Sequence, residues 1–182
     1  MIRLCIFIII SVVITYISRK SLFNPRSHGF TRFFAWEFIL ALVLLNALHW
    51  FKNPFSLKQL ISWLFLIISI FLLAHGIQLL RVVGKPNKDR SDPTLLELEK
   101  TSTLVTTGVY KYIRHPLYSS LLFLAWGVFL KNPTWIGFSL ALLSSFFLFL
   151  TAKNDESECL DYFGKEYQVY MQGTKRFIPF LF

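Results

Sequence analysis

The chain has 182 residues, of which 54% are hydrophobic, 18% aromatic and only 16% charged, and its mean hydropathy is +0.53. Twenty phenylalanines exceed what one small soluble core can cover, so the composition excludes an ordinary soluble globule and points to lipid as the solvent. A formal charge of +9 fits nucleic acid or anionic lipid, and the apolar spans between the charges favour lipid and argue against nucleic acid.

In chain order, an apolar run at 4–17 follows Arg3. A cleaved signal peptide is the alternative, but Ser18, Arg19, Lys20 and Ser21 lack the small-x-small cleavage pattern. The run therefore reads as a retained first span. Arg19, Lys20, Arg26 and Arg32 form a short basic loop that turns at Asn24-Pro25. The second span, 33–51, has close to the roughly 20 residues a membrane helix needs. It contains Glu37, Asn46 and His49, with Glu37 placed to pair with Arg32. Beyond Asn53-Pro54 lies a third span at 60–80, where His75 and Gln78 share a helix face. That face either bonds a neighbouring helix or borders a polar site, which keeps Gln78 as a candidate binding residue.

The loop at 81–116 is polar. Its 85–90 stretch reads as a solvated charged turn, and Asp92-Pro93 has the form of an N-cap followed by proline at the first helical position, predicting a short helix to about Lys100. The stretch 108–118 concentrates three cationic or titratable groups and three tyrosines. A residue before proline is steered away from helical angles, whereas proline suits the first helical turn. His115 is thus the predicted N-cap and Pro116 the start of a helix entering the membrane. The open N–H groups of that start, with Arg114 and His115 beside them, form an anion site at the membrane surface.

Apolar runs at 117–130 and 135–150 flank Lys131, Asn132, Pro133 and Thr134. One helix across both would be about 51 Å long, against a hydrocarbon core of roughly 30 Å, so a hairpin of two spans is predicted. Fifteen Lys and Arg residues then fall on one side and four (Arg3, Lys52, Lys58, Lys131) on the other. The positive-inside rule makes the 81–116 loop and the 151–182 tail cytoplasmic.

In the tail, Leu160, Phe163, Tyr167 and Tyr170 are spaced by three, four and three, one helical face. Stepping back four residues adds Glu156 to it, while Glu158, Asp161, Lys165 and Gln168 fall on the solvated face. Gly164 marks a bend, and Gly173 and Pro179 end the element in a basic-aromatic terminus. Cys5 and Cys159 stand in unlike surroundings, so no disulfide is expected. His28, His49, His75 and His115 are scattered without carboxylates at zinc-site spacing, and no metal is expected.

The stretch 104–118, with Gly108, Tyr110, Arg114, His115, Pro116 and Tyr118, resembles the G-x-Y-x-x-x-R-H-P-x-Y motif of the isoprenylcysteine carboxyl methyltransferase family, which phospholipid N-methyltransferases share. Glu156, Phe163-Gly164-x-x-Tyr167-x-x-Tyr170 and Arg176-Phe177-Ile178-Pro179 resemble the family's second motif, and Asp155 stands where that family's pair is usually two glutamates. The resemblance spans about 104–179. The apolar runs already read as an all-α integral membrane protein, one domain over 1–182 with five transmembrane helices, the last two a hairpin, and the resemblance implies that the cytoplasmic C-terminal helix closes a cofactor pocket. It also implies S-adenosylmethionine-dependent transfer of a methyl group to a lipidic acceptor, an isoprenylcysteine-like carboxylate being favoured. Carried over by position, Gly108, Val109, Tyr110, His115, Tyr118 and Glu156 hold the cofactor, and Arg176 lies near the acceptor.

The physical chemistry of these residues is compatible with that implication. The donor's carboxylate suits the helix start with Arg114 or His115, its ammonium suits Glu156, and tyrosine faces suit a sulfonium. A carboxylate acceptor needs an arginine such as Arg176 and no base; an amine needs a proton acceptor, Glu156 or His115. The alternatives are a phospholipid amine N-methyltransferase, a sterol-reductase-like NADPH reductase and a non-enzymatic lipid-binding scaffold. The expected location is a multi-pass membrane, the inner membrane if the source is prokaryotic.

Overall fold

The computed structural model describes residues 1–85 and 95–180. It is all-helical, with helices α1 (Ile2–Leu22), α2 (His28–Asn46), α3 (Leu57–Val82), α4 (Pro116–Phe129), α5 (Trp135–Phe163) and α6 (Lys165–Gly173), plus short 3₁₀ turns at Ala47–His49 and Gly108–Lys111. Local chemistry sets the starts. Ser27 accepts from the Phe30 N–H at the head of α2, Thr134 accepts from the Gly137 N–H at the head of α5, and Pro116 opens α4 behind His115. Four segments, Ile2–Leu22, His28–His49, Leu57–Val82 and Trp135–Phe163, are long and apolar enough to cross a membrane, and α4 is a shorter apolar helix.

The main pairings are α2 on α5 and α3 on α4, with α1 resting on α2. The core of Ala35, Ile39, Leu42, Leu66, Ala125, Val128, Ala141, Leu148 and Ala152 contains four alanines. Small residues let helix backbones approach where lipid gives little hydrophobic drive for association. Buried hydroxyls and amides complete the contacts: Ser62 donates to the Gly127 carbonyl at 2.7 Å, Ser69 to that of Ser120 at 2.7 Å, and Asn46 to that of Val128 at 2.8 Å. At the end remote from the polar loop, Lys131 is fully buried. Its ammonium donates to Gln59 Oε1 at 3.1 Å and lies 3.3 Å from the Trp63 ring centroid.

Several expectations change. Glu37 accepts from Ser11 at 2.6 Å, not from Arg32, whose guanidinium instead reaches Glu99. The helix expected to end near Lys100 is absent over 95–100, where the chain turns. The Glu99 side chain takes the Leu96 N–H at 2.9 Å and closes that turn. Asp92-Pro93 and most of the 85–90 turn lie outside the described residues. The boundary drawn at 150–151 is no structural break, because α5 runs on to Phe163. Backbone hydrogen bonding within a helix is indifferent to the change of solvent along it. The helix stops at Gly164, whose φ of 58° and ψ of −130° belong to a region that residues with a Cβ avoid.

Candidate active site

The two motif segments are stitched together by their backbones. Ile113 and Lys175 form a parallel bridge, in which the Lys175 N–H donates to the Tyr112 carbonyl at 3.0 Å and the Arg114 N–H to the Lys175 carbonyl at 2.8 Å. The Tyr170 hydroxyl donates to the Tyr110 carbonyl at 2.6 Å, and Ser119 in the first turn of α4 donates to the Phe177 carbonyl at 2.9 Å. On the other side, Gly108 backs against α3. Its φ is 59°, and a Cβ there would stand 2.7 Å from Leu79 Cδ1 and 2.9 Å from His75 Nε2. His75 thus meets the 108–118 stretch, as its position on α3 suggests.

Glu156 lies at the centre of this assembly, 4% exposed. Arg176 grips it with two bonds, Nε at 3.0 Å and Nη2 at 2.6 Å; Arg114 Nε donates at 2.9 Å, and His115 Nε2 faces it at 3.3 Å. Arg114 also donates to the Met171 and Thr174 carbonyls at the end of α6, satisfying groups a helix terminus leaves open. The other ring nitrogen of His115, Nδ1, is 3.3 Å from Asp155 Oδ2. A neutral imidazole has one donor and one acceptor, so a ring between two carboxylates is served best as imidazolium. Burial opposes that charge, but the bonds to Asp155 and Glu156 outweigh it and hold the His115 pKa above its ordinary 6.5.

A cleft opens beside His115. Its walls include Tyr110, Tyr118, Phe163, Tyr167 and Tyr170, and its polar groups include Arg114, His115, Asp155 and Glu99. The Tyr118 ring stacks on His115 with centroids 5.3 Å apart. Of the residues singled out in the sequence, Tyr110, Arg114, His115 and Tyr118 line the cleft. Gly108, Val109, Glu156, Arg176 and Gln78 do not. Gln78 is exposed, on the outward side of α3. Glu156 is drawn away by its three cations, and its neighbour Asp155 supplies the carboxylate that borders the cleft. Arg176 lines a separate shallow depression together with Arg114, Thr174 and Lys175.

A second buried charge cluster adjoins the first. His28 Nδ1 is 2.6 Å from Glu158 Oε2, and the His28 N–H donates to Glu158 Oε1 at 2.8 Å. His28 Nε2 is 3.4 Å from Glu99 Oε2, and Arg32 pairs with the other Glu99 oxygen. Glu158 is therefore a half-buried partner of His28, not a member of a fully solvated face. The scatter of histidines in sequence also misleads for His28. Ligand-capable atoms of His28, Asp155 and Glu158 lie within 4.8 Å of one another, although the Nδ1–Glu158 bond already uses two of them. In the sequence Arg32 is placed to pair with Glu37 and Asp155 stands in the second motif's acidic pair, but nothing there indicates the roles these two, His28 and Glu99 take here. Glu99 is 71 residues from His28, and Glu158 is 130, so no local spacing reports the pairing.

The phospholipid methyltransferase family model matches residues 57–166, which include the 108–118 stretch and all of α5. Protein-S-isoprenylcysteine O-methyltransferase of Dictyostelium discoideum is 31% identical over 139 residues, 72% of this chain and 55% of that protein. The Homo sapiens protein of the same name is 36% identical over 87 residues, 47% of this chain and 30% of that protein. Methanethiol S-methyltransferase of a Pseudomonas species is 24% identical over 147 residues, covering 81% of this chain and 54% of that protein. The chain spans about half the length, or less, of these curated relatives. No solved structure matches it.

Proposed function

The chain belongs to the phospholipid methyltransferase family, and from that premise we propose that it is a membrane methyltransferase that moves a methyl group from S-adenosylmethionine to a lipidic acceptor at the cytoplasmic face. One observation carries the reading: the cleft between the two stitched motif segments offers both signs of charge within an aromatic wall. Such a lining fits a donor that bears a carboxylate, an ammonium and a sulfonium. The donor supplies a methyl group on positively charged sulfur, ready for in-line displacement.

The chain's own residues then bind, orient and exclude water. Arg114 and the start of α4 face the donor's carboxylate, Asp155 takes the role first given to Glu156 and faces its ammonium, and the tyrosine faces accommodate the sulfonium. Glu156 holds Arg114 and Arg176 in fixed directions. Arg114 borders both the cleft and the shallow depression, so donor and acceptor meet at this residue. Arg176 and Lys175 hold an acceptor carboxylate there, and a carboxylate needs no base. Methyl transfer depends chiefly on alignment and desolvation, which this buried, pre-paired framework provides. In this reading α4 crosses as the fourth of five spans, the C-terminus is cytoplasmic, and a prokaryotic source would place the protein in the inner membrane.

The test is binding of S-adenosylhomocysteine, the demethylated donor, to purified protein in detergent. Asp155→Asn is expected to weaken it at least about tenfold, the order of one lost charge-assisted bond. Binding of NADPH and not of S-adenosylhomocysteine would replace the reading with a reductase. Turnover of a prenylated cysteine but not of its methyl ester separates carboxylate from amine acceptors.

A further inference from the structure

Residues 95–103 lie outside both motifs and run into the first at Leu104, and Leu95, Glu99, Thr101, Leu104 and Val105 all line the cleft. Among the described residues, two attachments hold this segment there. One is at Gly84, whose carbonyl accepts from the Ser102 N–H at 3.1 Å and the Thr103 N–H at 3.2 Å. Thr101 packs so closely that a Cβ on Gly84 would fall 2.6 Å from its Cγ2. The other is the Glu99 carboxylate, which reaches Arg32 and His28 at the head of α2 and folds its own turn by accepting the Leu96 N–H. Burial favours the neutral acid, but the charges of Arg32 and His28 prevail and hold Glu99 well below the usual carboxylate range. His28 is fixed in turn by Glu158 on α5, one helical turn from Asp155.

We propose that Glu99 is a positioning residue: it latches the 95–105 segment to α2 as a wall of the cleft and thereby sets how tightly the methyl donor is held. The proposal rests on the donor-site reading above. Glu99 acts through Arg32 and His28, and its loss frees the wall at its attachment to α2 while leaving the Tyr110–His115–Asp155 side intact.

Lys100 gives the latch a direct readout. Its side chain is 17% exposed and bonded to Glu97 at 2.7 Å, which makes the Lys100–Thr101 bond a trypsin site shielded by the closed wall. In the intact protein in detergent, without ligand, Glu99→Gln is expected to speed cleavage after Lys100 about tenfold, identified by mass spectrometry. The same variant is expected to raise the S-adenosylhomocysteine Kd and the donor KM about tenfold with kcat changed by less than about twofold, the order of one charged hydrogen bond. Glu99→Asp keeps the charge, guards against a folding defect, and should recover at least half of each loss on a logarithmic scale. Cleavage at the wild-type rate overturns the latch. Faster cleavage with unchanged S-adenosylhomocysteine affinity overturns its link to the donor. Wild-type protein with no affinity for S-adenosylhomocysteine overturns the donor reading itself and this proposal with it.

Discussion

Replacing Glu156 by glutamine keeps the shape of the side chain and removes the charge that Arg114, Arg176 and His115 share. Removing one partner of a buried ion pair costs about 3–5 kcal/mol, because the remaining charge stays buried and unpaired. Here the stranded arginines are 10% and 21% exposed; they keep some access to water, which places the loss near the lower end, about 3 kcal/mol. For a chain of this size 1 kcal/mol corresponds to about 2–4 °C in Tm, so thermal unfolding followed by tryptophan fluorescence in detergent should fall by about 6–12 °C. Asp161→Asn, on the exposed side of the same helix, serves as the control. The double variant Glu156→Gln with Arg176→Gln should be less destabilised than the sum of the single changes, because the second removes a cation stranded by the first. A Glu156→Gln shift no larger than that of Asp161→Asn would refute the reasoning.

Gly108→Ala adds a methyl group to a backbone at φ 59° against Leu79 and His75. It should cost about 1–2 kcal/mol from the left-handed geometry alone, and His75→Ala in the same chain should return only the steric part; unchanged unfolding would dismiss the close approach. His115 gives a pH signature. With its folded pKa above 6.5, its contribution is complete below the ordinary value and is lost as pH rises through the raised one. The Tm gap between the wild type and His115→Asn should therefore be widest near about pH 6 and narrow as pH rises above 6.5. A gap constant up to about pH 9 would mean that the ring binds its proton equally well folded and unfolded, with no raised pKa.

The helices were legible because apolar runs and proline positions act locally. His115-Pro116 announces the head of α4 from two adjacent residues, and of the three-four-three set Leu160, Phe163, Tyr167 and Tyr170 the three aromatic members meet the cleft. The tail register placed Glu156 inside, and it is inside. Its partners were less visible, since the geometry that turns Glu156 toward arginines and Asp155 toward the cleft is a rotation of about 100° between adjacent helical positions. Sequence spacing cannot say which of two neighbouring acids faces a ligand when both are buried. Glu99 was hidden for another reason. Its partners lie on α2 and were brought near only by the return of the chain across the cleft, an arrangement set by Gly84 and Thr101 and by no repeat or motif.

The continuity of α5 across the membrane boundary makes it a lever. With the apolar half of α5 in the bilayer, as the proposed function has it, Asp155, Glu156 and Glu158 ride on an extension that runs about 20 Å past residue 150. Asp155 and Glu156 lie about 8 Å along that arm; helices answer a change in bilayer thickness by tilting, and a tilt of roughly 7° would carry these two through about 1 Å. Displacements of about that size can cost a hundredfold in rate when they misalign reacting groups. The carboxylates are thus mechanically joined to the lipid, and the ion pairs that bind the extension to α2, α4 and the C-terminal segment act as its stops.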